Sequence, residues 1–541
     1  MQQHAETSGE TLVETTGGPL RGRIERGIHV FKGIAYGLDT GGSARFKRPR
    51  RPMPWAGTKD ALRFGPMCPQ QGMFSPHDTE IVKLLSGGFE IPSIEPSEDC
   101  LALNIWTPQP HEGRRPVMVW CHGGRFTEGS GGNAWCDGAA LAERGDVVVV
   151  TLNHRLNIFG HLHLRDLAAN EQAWADSGNI GLLDIVAALE WIRDNIGRFG
   201  GDAANVTLFG NSGGGAKISA LMTMPAARGL IHKAIVQSAP LQGAAGSSRR
   251  QTGFAEEILT ELNLSPENME RLIDLPVPQL KTAMCTVDAR LGAPGSMGIF
   301  VPAVDGDTLP EHPFASKAPD CCDAIPLLIG STADEMTLLL GGATLPAGPV
   351  ELLQALQRWP AVDETTARHL IAIYRDIHPA ADASELFLAI ASDYAVRNSI
   401  VAQAEHKSRQ SAPVYMYLFR WAVPALQGRF GAMHGAEVPF VFGNMDKAPG
   451  FEASPDQYRV LEEKIMDAWI AFARTGNPNH PSLPHWPAYD LSTRATLCFG
   501  EASPFGACRT ARSDHCEIIE DPGREARLAM RALADNSPMD K

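Results

Sequence analysis

The sequence predicts an α/β fold with a large, doubly wound and mostly parallel central sheet. Strand-like and helix-like segments alternate along the chain, which is typical of parallel sheets covered by helices. Asp146–Asn153 is almost entirely β-branched, as expected of a strand buried on both faces. Residues 181–196 place large apolar side chains at helical spacing on one face. Because no Pro/Gly/Ser-rich linker or repeat divides the 541 residues, we expect one domain over 1–541.

The remaining elements continue this alternation. An N-terminal hairpin is expected over 11–35, where apolar and polar residues alternate around Gly17 and Gly18. Further strands are expected at 101–106, 117–120, 206–209, 233–237, 325–329, 414–419 and 495–499, and further helices at 252–263, 349–375, 384–405 and 456–474. The mostly helical stretches around 245–320 and 336–410 would form cap insertions over the carboxyl edge of the sheet, where ligands bind in open α/β folds.

The charge balance narrows the choice of partners. The chain has 48 Lys and Arg against 62 Asp and Glu, a net charge of −14. This disfavours nucleic acid and anionic membrane surfaces as partners. No apolar run approaches eighteen residues, so we expect no membrane span. The composition leaves open whether the protein is a monomer or a homodimer.

Residues 210–214 fit the pattern G-x-S-x-G and lie between an apolar strand and a helical pattern. In this strand–turn–helix context the serine adopts a strained backbone conformation that exposes its hydroxyl. The N-terminus of the helix directs N–H groups toward negative charge that develops there. We therefore predict that Ser212 is a nucleophile, against the alternative of a glycine-rich turn with an inert serine.

A catalytic serine needs a base, an acid that orients the base, and donors for the oxyanion. His122–Gly124 follows a strand and predicts an oxyanion turn, although an ordinary glycine turn has the same pattern. Asp334 and Glu335 follow another strand, and one carboxylate of the pair should face solvent. His434 lies in a loop of small residues further on. The order serine, acid, histidine is that of α/β-hydrolases.

With these residues in place, the chain resembles the type-B carboxylesterase/lipase family, which includes the cholinesterases and the bacterial para-nitrobenzyl esterases. The resemblance is specific because it covers nearly the whole chain in order. The matching stretches are Phe31–Tyr36, Glu98–Ile105, His122–Gly124, Leu152–Arg155, Gly178–Asp184, Asn195–Asp202, the serine turn, Asp334–Glu335, His434–Glu437 and Phe472–Pro478.

The resemblance implies an α/β-hydrolase that cleaves carboxylic esters through an acyl-enzyme on Ser212. It implies His434 as the base and Glu335, rather than Asp334, as the acid. The implied oxyanion donors are the backbones of Gly124, Arg125 and Gly213. We expect neither a metal nor a cofactor.

The resemblance also implies a disulfide between Cys68 and Cys100. Structural disulfides point to an oxidising compartment. The N-terminus has no signal-peptide pattern. We therefore expect a secreted or periplasmic protein whose signal peptide has been removed, with a cytoplasmic location as the alternative. Cys508 and Cys516 are close enough in sequence for a second bridge or are two buried thiols.

Three departures from the family pattern fall at the site. Asn211 stands where an acidic residue usually precedes the nucleophile, and Arg125 replaces the third glycine of the oxyanion turn. The loop between Cys68 and Cys100 lacks the tryptophan with which cholinesterases hold a quaternary ammonium. All three argue against a cationic substrate. The glycine that is lost at Arg125 also puts the turn conformation in question, because glycine tolerates a positive φ.

Arg125 and Asn211 are therefore expected to bind substrate. An arginine beside the reacting carbon offers a bidentate clamp for a carboxylate. The alternative is that Arg125 turns back into a salt bridge with an acid such as Glu128.

The predicted substrate is a small anionic ester whose acyl group carries free carboxylates, such as a tricarballylate ester. Bacterial fumonisin esterases, within the same family, are similar in function because they release tricarballylic acid from a long aminopolyol. A general carboxylesterase for neutral acyl esters is the first alternative. A non-catalytic, cholinesterase-like adhesion protein is disfavoured because no triad residue is missing, and a lipase is disfavoured because no strongly apolar surface helix stands out.

Overall fold

The fold is built on strands whose apolar residues are buried on both faces. A computed structural model describes residues 9–71, 79–85, 95–111, 113–241, 244–291, 298–340, 343–359, 362–500 and 515–519, with 527, 528 and 530. The strands are β1 (Gly9–Glu14), β2 (Pro19–Glu25), β3 (Ile28–Ala35), β4 (Lys59–Asp60), β5 (Ala102–Thr107), β6 (Arg115–Trp120), β7 (Val148–Leu152), β8 (Gly201–Asn211), β9 (Lys233–Gln237), β10 (Gly246–Ser247), β11 (Ala303–Val304), β12 (Leu327–Thr332), β13 (Val414–Phe419), β14 (Thr496–Phe499) and β15 (Cys516–Ile519).

The helices cover the sheet and form the segments between strands. They are α1 (Thr79–Leu84), α2 (Ala139–Gly145), α3 (Asn157–His161), α4 (Ile180–Asn195), α5 (Gly213–Leu221), α6 (Ser248–Glu261), α7 (Val277–Leu291), α8 (Glu335–Leu339), α9 (Pro349–Leu356), α10 (Glu364–Ile377), α11 (Ala383–Ser392), α12 (Asn398–Lys407), α13 (Val438–Phe442) and α14 (Pro455–Thr475). No helix among the described residues is long and apolar enough to cross a membrane.

The main sheet has the strand order β1-β2-β3-β5-β7-β6-β8-β9-β12-β13-β14-β15, with β4 paired to β2. Neighbours from β7 to β14 in this order run parallel. The pairs β1–β2, β2–β3, β3–β5, β5–β7 and β14–β15 are antiparallel, and β4 pairs parallel to β2. The carboxyl ends of β6, β8, β12 and β13 therefore meet at one edge. This edge carries the loops that the sequence analysis singled out.

Side chains that alternate along each strand divide the interior into two cores. Val117 and Val119 of β6 join one buried cluster, whereas Met118 and Trp120 join the other. This is the two-residue period of a strand covered on both faces. A third, smaller core lies among α9, α10 and α11 and includes Leu352.

Helix boundaries differ from the sequence pattern in two places. The predicted helix over 349–375 is two helices, because α9 ends at Leu356 and α10 has its own N-cap, Asp363, whose side chain accepts from the Thr366 N–H at 2.8 Å. The predicted helix over 384–405 contains a π-helical turn at Asp393–Arg397. The division into a single domain with cap insertions stays a prediction.

Helix α11 and the turn after it pack against the loop that follows β12. Ser392 accepts a hydrogen bond from the Met336 N–H at 3.0 Å, and Arg397 donates to the Ala333 carbonyl at 3.1 Å. The helical segment after α10 thus holds the loop that carries Asp334 and Glu335.

Candidate active site

Ser212 lies at a sharp turn between β8 and α5. Its backbone has φ 59° and ψ −126°, a conformation that L-residues rarely adopt. The Ser212 N–H donates to the Gln237 carbonyl at 2.8 Å, which ties the turn to the neighbouring strand β9. The serine is half-buried, whereas both flanking residues are buried.

Only glycine fits at two positions of this turn. A Cβ on Gly214 would lie 2.0 Å from the Cys121 carbonyl oxygen, and one on Gly210 would lie 2.6 Å from the same atom. The elbow is thus pressed directly against the end of β6. These two contacts are the physical reason for the glycines on either side of the serine.

The turn at Gly123–Arg125 packs against the same elbow. A Cβ on Gly213 would lie 2.4 Å from the backbone nitrogen of Arg125. Gly124 has φ 82° and Arg125 has φ 56°, so an arginine occupies the left-handed conformation in which glycine is favoured. The turn therefore forms even though Arg125 stands where the family pattern has its third glycine.

The N–H groups of Gly124 and Arg125 are available as donors. Within the described chain neither N–H donates to a protein acceptor. Gly213 is the first residue of α5, so its N–H also has no partner within the helix. The three donors predicted from the sequence therefore lie together at the start of α5.

The carbonyl ends of the same two peptide units are both hydrogen bonded. The Gly123 carbonyl accepts from His122 Nδ1 at 2.8 Å, and since a carbonyl can only accept, Nδ1 carries the proton. The Gly124 carbonyl accepts from the Glu128 N–H at 3.0 Å. These bonds orient the peptides whose N–H groups are those of Gly124 and Arg125, and they add to the polarity of those donors.

Glu335 and His434, the predicted acid and base, are in direct contact. His434 Nδ1 lies 2.5 Å from Glu335 Oε2, and the other oxygen of Glu335 accepts from the Thr332 N–H at 2.8 Å. Glu335 is completely buried. Burial raises the pKa of Glu335, but the charge and hydrogen bond of His434 outweigh it, so the net shift is downward.

The same interaction acts on His434 in the opposite direction. Burial lowers the pKa of His434, but the charge and hydrogen bond of Glu335 raise it by more, so the pKa lies above its ordinary value of 6.5. Because Glu335 accepts at Nδ1, the neutral ring has a free lone pair on Nε2. This is the tautomer that a general base requires.

Asp334 does not face solvent, contrary to the expectation for one carboxylate of the pair. It is half-buried, and its Oδ2 accepts from the Ala432 N–H at 2.8 Å. Burial raises its pKa. Asp334 therefore anchors the loop that carries His434 and makes no contact with the imidazole in the described structure.

Asn211 and Glu437 link the elbow to the histidine loop. Asn211 Nδ2 donates to Glu437 Oε1 at 3.0 Å, and Gln237 Nε2 donates to the same oxygen at 3.2 Å. Burial, followed by the charge of Glu335, raises the pKa of Glu437 to about 7. The Asn211 amide is thus engaged by a protein group, and the predicted contact of Asn211 with substrate stays a prediction.

These contacts place His434 next to the elbow, although no hydrogen bond joins it to the Ser212 hydroxyl in the described chain. A Cβ on Gly435 would lie 3.6 Å from Asn211 Oδ1, so the two loops touch. Catalytic hydrogen bonds in ligand-free sites are often long and shorten when substrate binds. The structure therefore brings together the elbow, the donor turn and the acid–base pair.

Arg125 has no ion-pair partner among the described residues, and the alternative of a salt bridge with Glu128 is not observed. The side chain is half-buried. Its guanidinium is consequently free to contact a ligand.

The implied Cys68–Cys100 disulfide is wrong. Both residues are buried free thiols. The Cys68 sulfur accepts from the Leu156 N–H at 3.3 Å, and a hydrogen bond with Cys68, followed by burial, raises the pKa of the Cys100 thiol well above its ordinary value. The Cys68 thiol donates to the Pro69 carbonyl at 3.7 Å, so it is hydrogen bonded without a disulfide, and the argument for an oxidising compartment loses its basis. Cys508 lies outside the described residues.

Sequence reasoning missed Glu437 and Lys217 as parts of the site. Glu437 stands three residues after His434, and its place in the His-Gly-Ala-Glu stretch was the signal that could have identified it. Lys217 is the one charged residue in α5, yet it is completely buried beside the oxyanion turn. Long lysine side chains usually reach solvent, so the pattern alone did not reveal this burial.

The parallel sheet, the serine elbow and the ordering of serine, acid and histidine define an α/β-hydrolase. Residues 9–516 match the Carboxylesterase family. The para-nitrobenzyl esterase of Bacillus subtilis (strain 168) is 38% identical over 494 residues, 90% of this chain and 94% of that protein. The phenmedipham hydrolase of Pseudarthrobacter oxydans is 32% identical over 520 residues, 94% and 98% of the two chains.

Solved structures agree with these relatives. A carboxylesterase of Geobacillus stearothermophilus is similar with a TM-score of 0.81 and 36% identity, covering 96% of this chain and all of that one. The chain belongs to the carboxylesterase family, and it is a serine hydrolase of carboxylic esters.

Proposed function

We propose that Ser212, His434 and Glu335 are the nucleophile, base and acid of this ester hydrolase, and that Gly124, Arg125 and Gly213 donate to the oxyanion. The hydrogen bond between His434 Nδ1 and Glu335 beside a strained elbow serine is the observation that carries the proposal. We further propose that the preferred substrates are small esters whose acyl group carries free carboxylates, such as the tricarballylate esters of fumonisins.

In the proposed reaction, Ser212 Oγ attacks the ester carbonyl carbon while His434 Nε2 takes the hydroxyl proton. The carbonyl oxygen becomes an oxyanion that accepts from the three backbone N–H groups. When the tetrahedral intermediate collapses, the C–O bond to the alcohol breaks and His434 returns the proton to the leaving alcohol. Water then repeats the sequence on the acyl-enzyme and releases the acid and the free serine.

Ser212→Ala tests the nucleophile. We expect kcat to fall about 10⁴- to 10⁶-fold with the fold intact, as for triad nucleophiles generally. Ser219→Ala is the matched control, because Ser219 is buried in α5, the helix that follows Ser212, and its hydroxyl donates to the Gly215 carbonyl at 3.0 Å. Activity of Ser212→Ala within tenfold of wild type would contradict the assignment.

The position of Arg125 supports the proposal that the acyl group of the substrate is anionic. Its backbone N–H is one of the proposed oxyanion donors, and no ion-pair partner of its guanidinium lies among the described residues. A charge-assisted pair with an acyl carboxylate, shielded from water, is worth about 2–4 kcal/mol, or roughly 30- to 1000-fold in kcat/KM. This contribution would be absent for a neutral acyl group.

The test compares two 4-nitrophenyl esters, a tricarballylate monoester and a butyrate, which share one leaving alcohol. Arg125→Ala is expected to lose the full factor on the tricarballylate ester and much less on the butyrate. Arg125→Gly is the matched control, since glycine suits the positive φ and separates the lost guanidinium from backbone strain. Equal losses on both esters would favour the second candidate, a general carboxylesterase, which the names of the para-nitrobenzyl esterase and phenmedipham hydrolase relatives also favour.

A further inference from the structure

Lys217 is a buried amine with an unusual partner. It lies five residues after Ser212 in α5, its side chain is completely buried, and Nζ donates to the His122 carbonyl at 2.9 Å. Among the described residues no carboxylate pairs with it. Since a buried amine without a carboxylate in direct contact is costly, this position calls for an explanation beyond packing.

The surroundings of Lys217 offset its burial only in part, because burial lowers the pKa of the amine by more than the Cys121 thiol and the buried Glu128 carboxylate raise it. The ring of Phe126 has its centroid 6.0 Å from Nζ, and burial, with Lys217 adding to it, lowers the pKa of His122, His154 and His161. These imidazoles are neutral at neutral pH. Burial lowers the pKa of Lys217 itself to about 7, and the amine donates a hydrogen bond in either protonation state.

The His122 carbonyl is the point at which the chain leaves β6 and enters the donor turn. The next carbonyl, that of Gly123, already accepts from His122 Nδ1, and the one after it, that of Gly124, accepts from the Glu128 N–H. Lys217 therefore completes a run of three consecutive carbonyls, each held by a donor. Among these three donors, Lys217 is the one that lies in α5, the helix that begins directly after Ser212.

We propose that Lys217 is a positioning residue of the ester-hydrolysis site: by holding the His122 carbonyl it sets the Gly124 and Arg125 N–H groups at the distance from Ser212 that the oxyanion requires. This inference rests on the proposed function of Ser212 and its oxyanion donors. Lys217 acts through the turn and does not touch the substrate. Its effect should therefore appear in the transition state and leave ground-state binding nearly unchanged.

Lys217→Met removes the donor and keeps the length of the side chain. We expect kcat to fall about 10- to 100-fold with KM within about threefold, since loss of a direct oxyanion donor costs about 10²- to 10³-fold. The affinity of a trifluoromethyl ketone, which forms an oxyanion on the serine, should weaken by the same factor as kcat. Lys217→Gln, which keeps an N–H donor, should recover part of both losses.

Lys407→Met is the matched control. Lys407 is also completely buried and its Nζ donates to a backbone carbonyl, that of Asp323, at 3.1 Å, but it lies in α12. A loss of stability common to buried lysines would lower the Tm of both methionine variants, whereas only Lys217→Met should lose kcat and inhibitor affinity together.

The proposal is overturned if folded Lys217→Met has kcat within twofold of wild type, or if kcat falls without a matching loss of ketone affinity. It is also overturned if neither Lys217 variant folds while Lys407→Met does, because the lysine then serves stability alone. Ser212→Ala distinguishes failure of the proposed function from failure of this inference. An active Ser212→Ala variant would contradict the proposed function. An inactive Ser212→Ala variant together with a fully active Lys217→Met variant would contradict only the role of Lys217.

Discussion

Two buried glutamates near His434 lie in opposite electrostatic surroundings. One follows β12 in the sequence, and the other follows His434. Glu335 faces the imidazole and a backbone N–H, and its pKa is lowered. Glu437 faces the neutral amides of Asn211 and Gln237, and its pKa is raised to about 7. Burial raises the pKa of both glutamates, so the opposite sign of their net pKa shifts comes from the groups that each one contacts.

Glu335 is thus kept charged, whereas Glu437 gains a proton near neutral pH. In the proposed mechanism, a charged Glu335 stabilises the imidazolium that forms in the transition state. Among the described residues no charged donor is hydrogen bonded to Glu437, and the amide of Asn211 serves a neutral carboxylic acid as well as a carboxylate. Substitutions at the two glutamates, and at the neighbouring Asp334, test whether the division is real.

The largest effect is expected for Glu335→Gln. We expect kcat to fall about 10³- to 10⁴-fold, because the amide cannot stabilise the imidazolium. Since Glu335 is what raises the pKa of His434 above 6.5, its removal lowers that pKa, and the acid limb of the kcat/KM profile should move to lower pH. The measurement is a pH–rate profile between pH 4.5 and 8.5 for wild type and variant, and an unmoved acid limb would contradict the assignment of Glu335.

Asp334→Asn should have a much smaller effect. The amide oxygen can still accept from the Ala432 N–H, so the histidine loop keeps its anchor and kcat should fall by about tenfold or less. The variant also serves as the control for Glu335→Gln, since it makes the same carboxylate-to-amide change one residue away. If Asp334→Asn proved the weaker enzyme of the two, the choice of acid would be reversed.

Glu437→Gln should change stability more than activity. The native pKa of about 7 lies above the ordinary value of 4.5, so the folded state binds the extra proton and wild-type stability falls as pH rises from about 4.5 to 7. The fall amounts to about 3 kcal/mol for this group. The Tm advantage of Glu437→Gln over wild type should therefore grow between pH 5 and pH 8; an advantage that is constant with pH would show that Glu437 does not titrate in this range.

Much of this architecture was predictable because its signals are local. Val414–Phe419 is an apolar run bounded by Pro413 and Arg420, and the strand β13 has the predicted limits. The strand, serine turn and helix around Ser212 follow one another within about 20 residues, so their order could be read directly. The catalytic roles of Ser212, Glu335 and His434 stay predictions until the variants are measured.

What the sequence did not reveal depends on contacts between distant residues. Asn211 meets Glu437 only because β8 and the histidine loop converge, and 226 residues separate the two. The surroundings of Cys68 and Cys100 depend on their burial and on contacts with distant residues, such as the hydrogen bond from the Leu156 N–H to Cys68, which their spacing does not encode. The burial of Lys217 likewise depends on the turn that folds over it.

The strand order also has a consequence for synthesis of the chain on the ribosome. Ser212 follows β8, whereas His434 follows β13 and is made 222 residues later. At about 5–20 residues per second, Ser212 leaves the ribosome roughly 10 to 45 seconds before His434. During that interval the nascent polypeptide carries the serine turn without His434, so a hydrolase that uses His434 as its base becomes competent only as about the last fifth of the chain is translated.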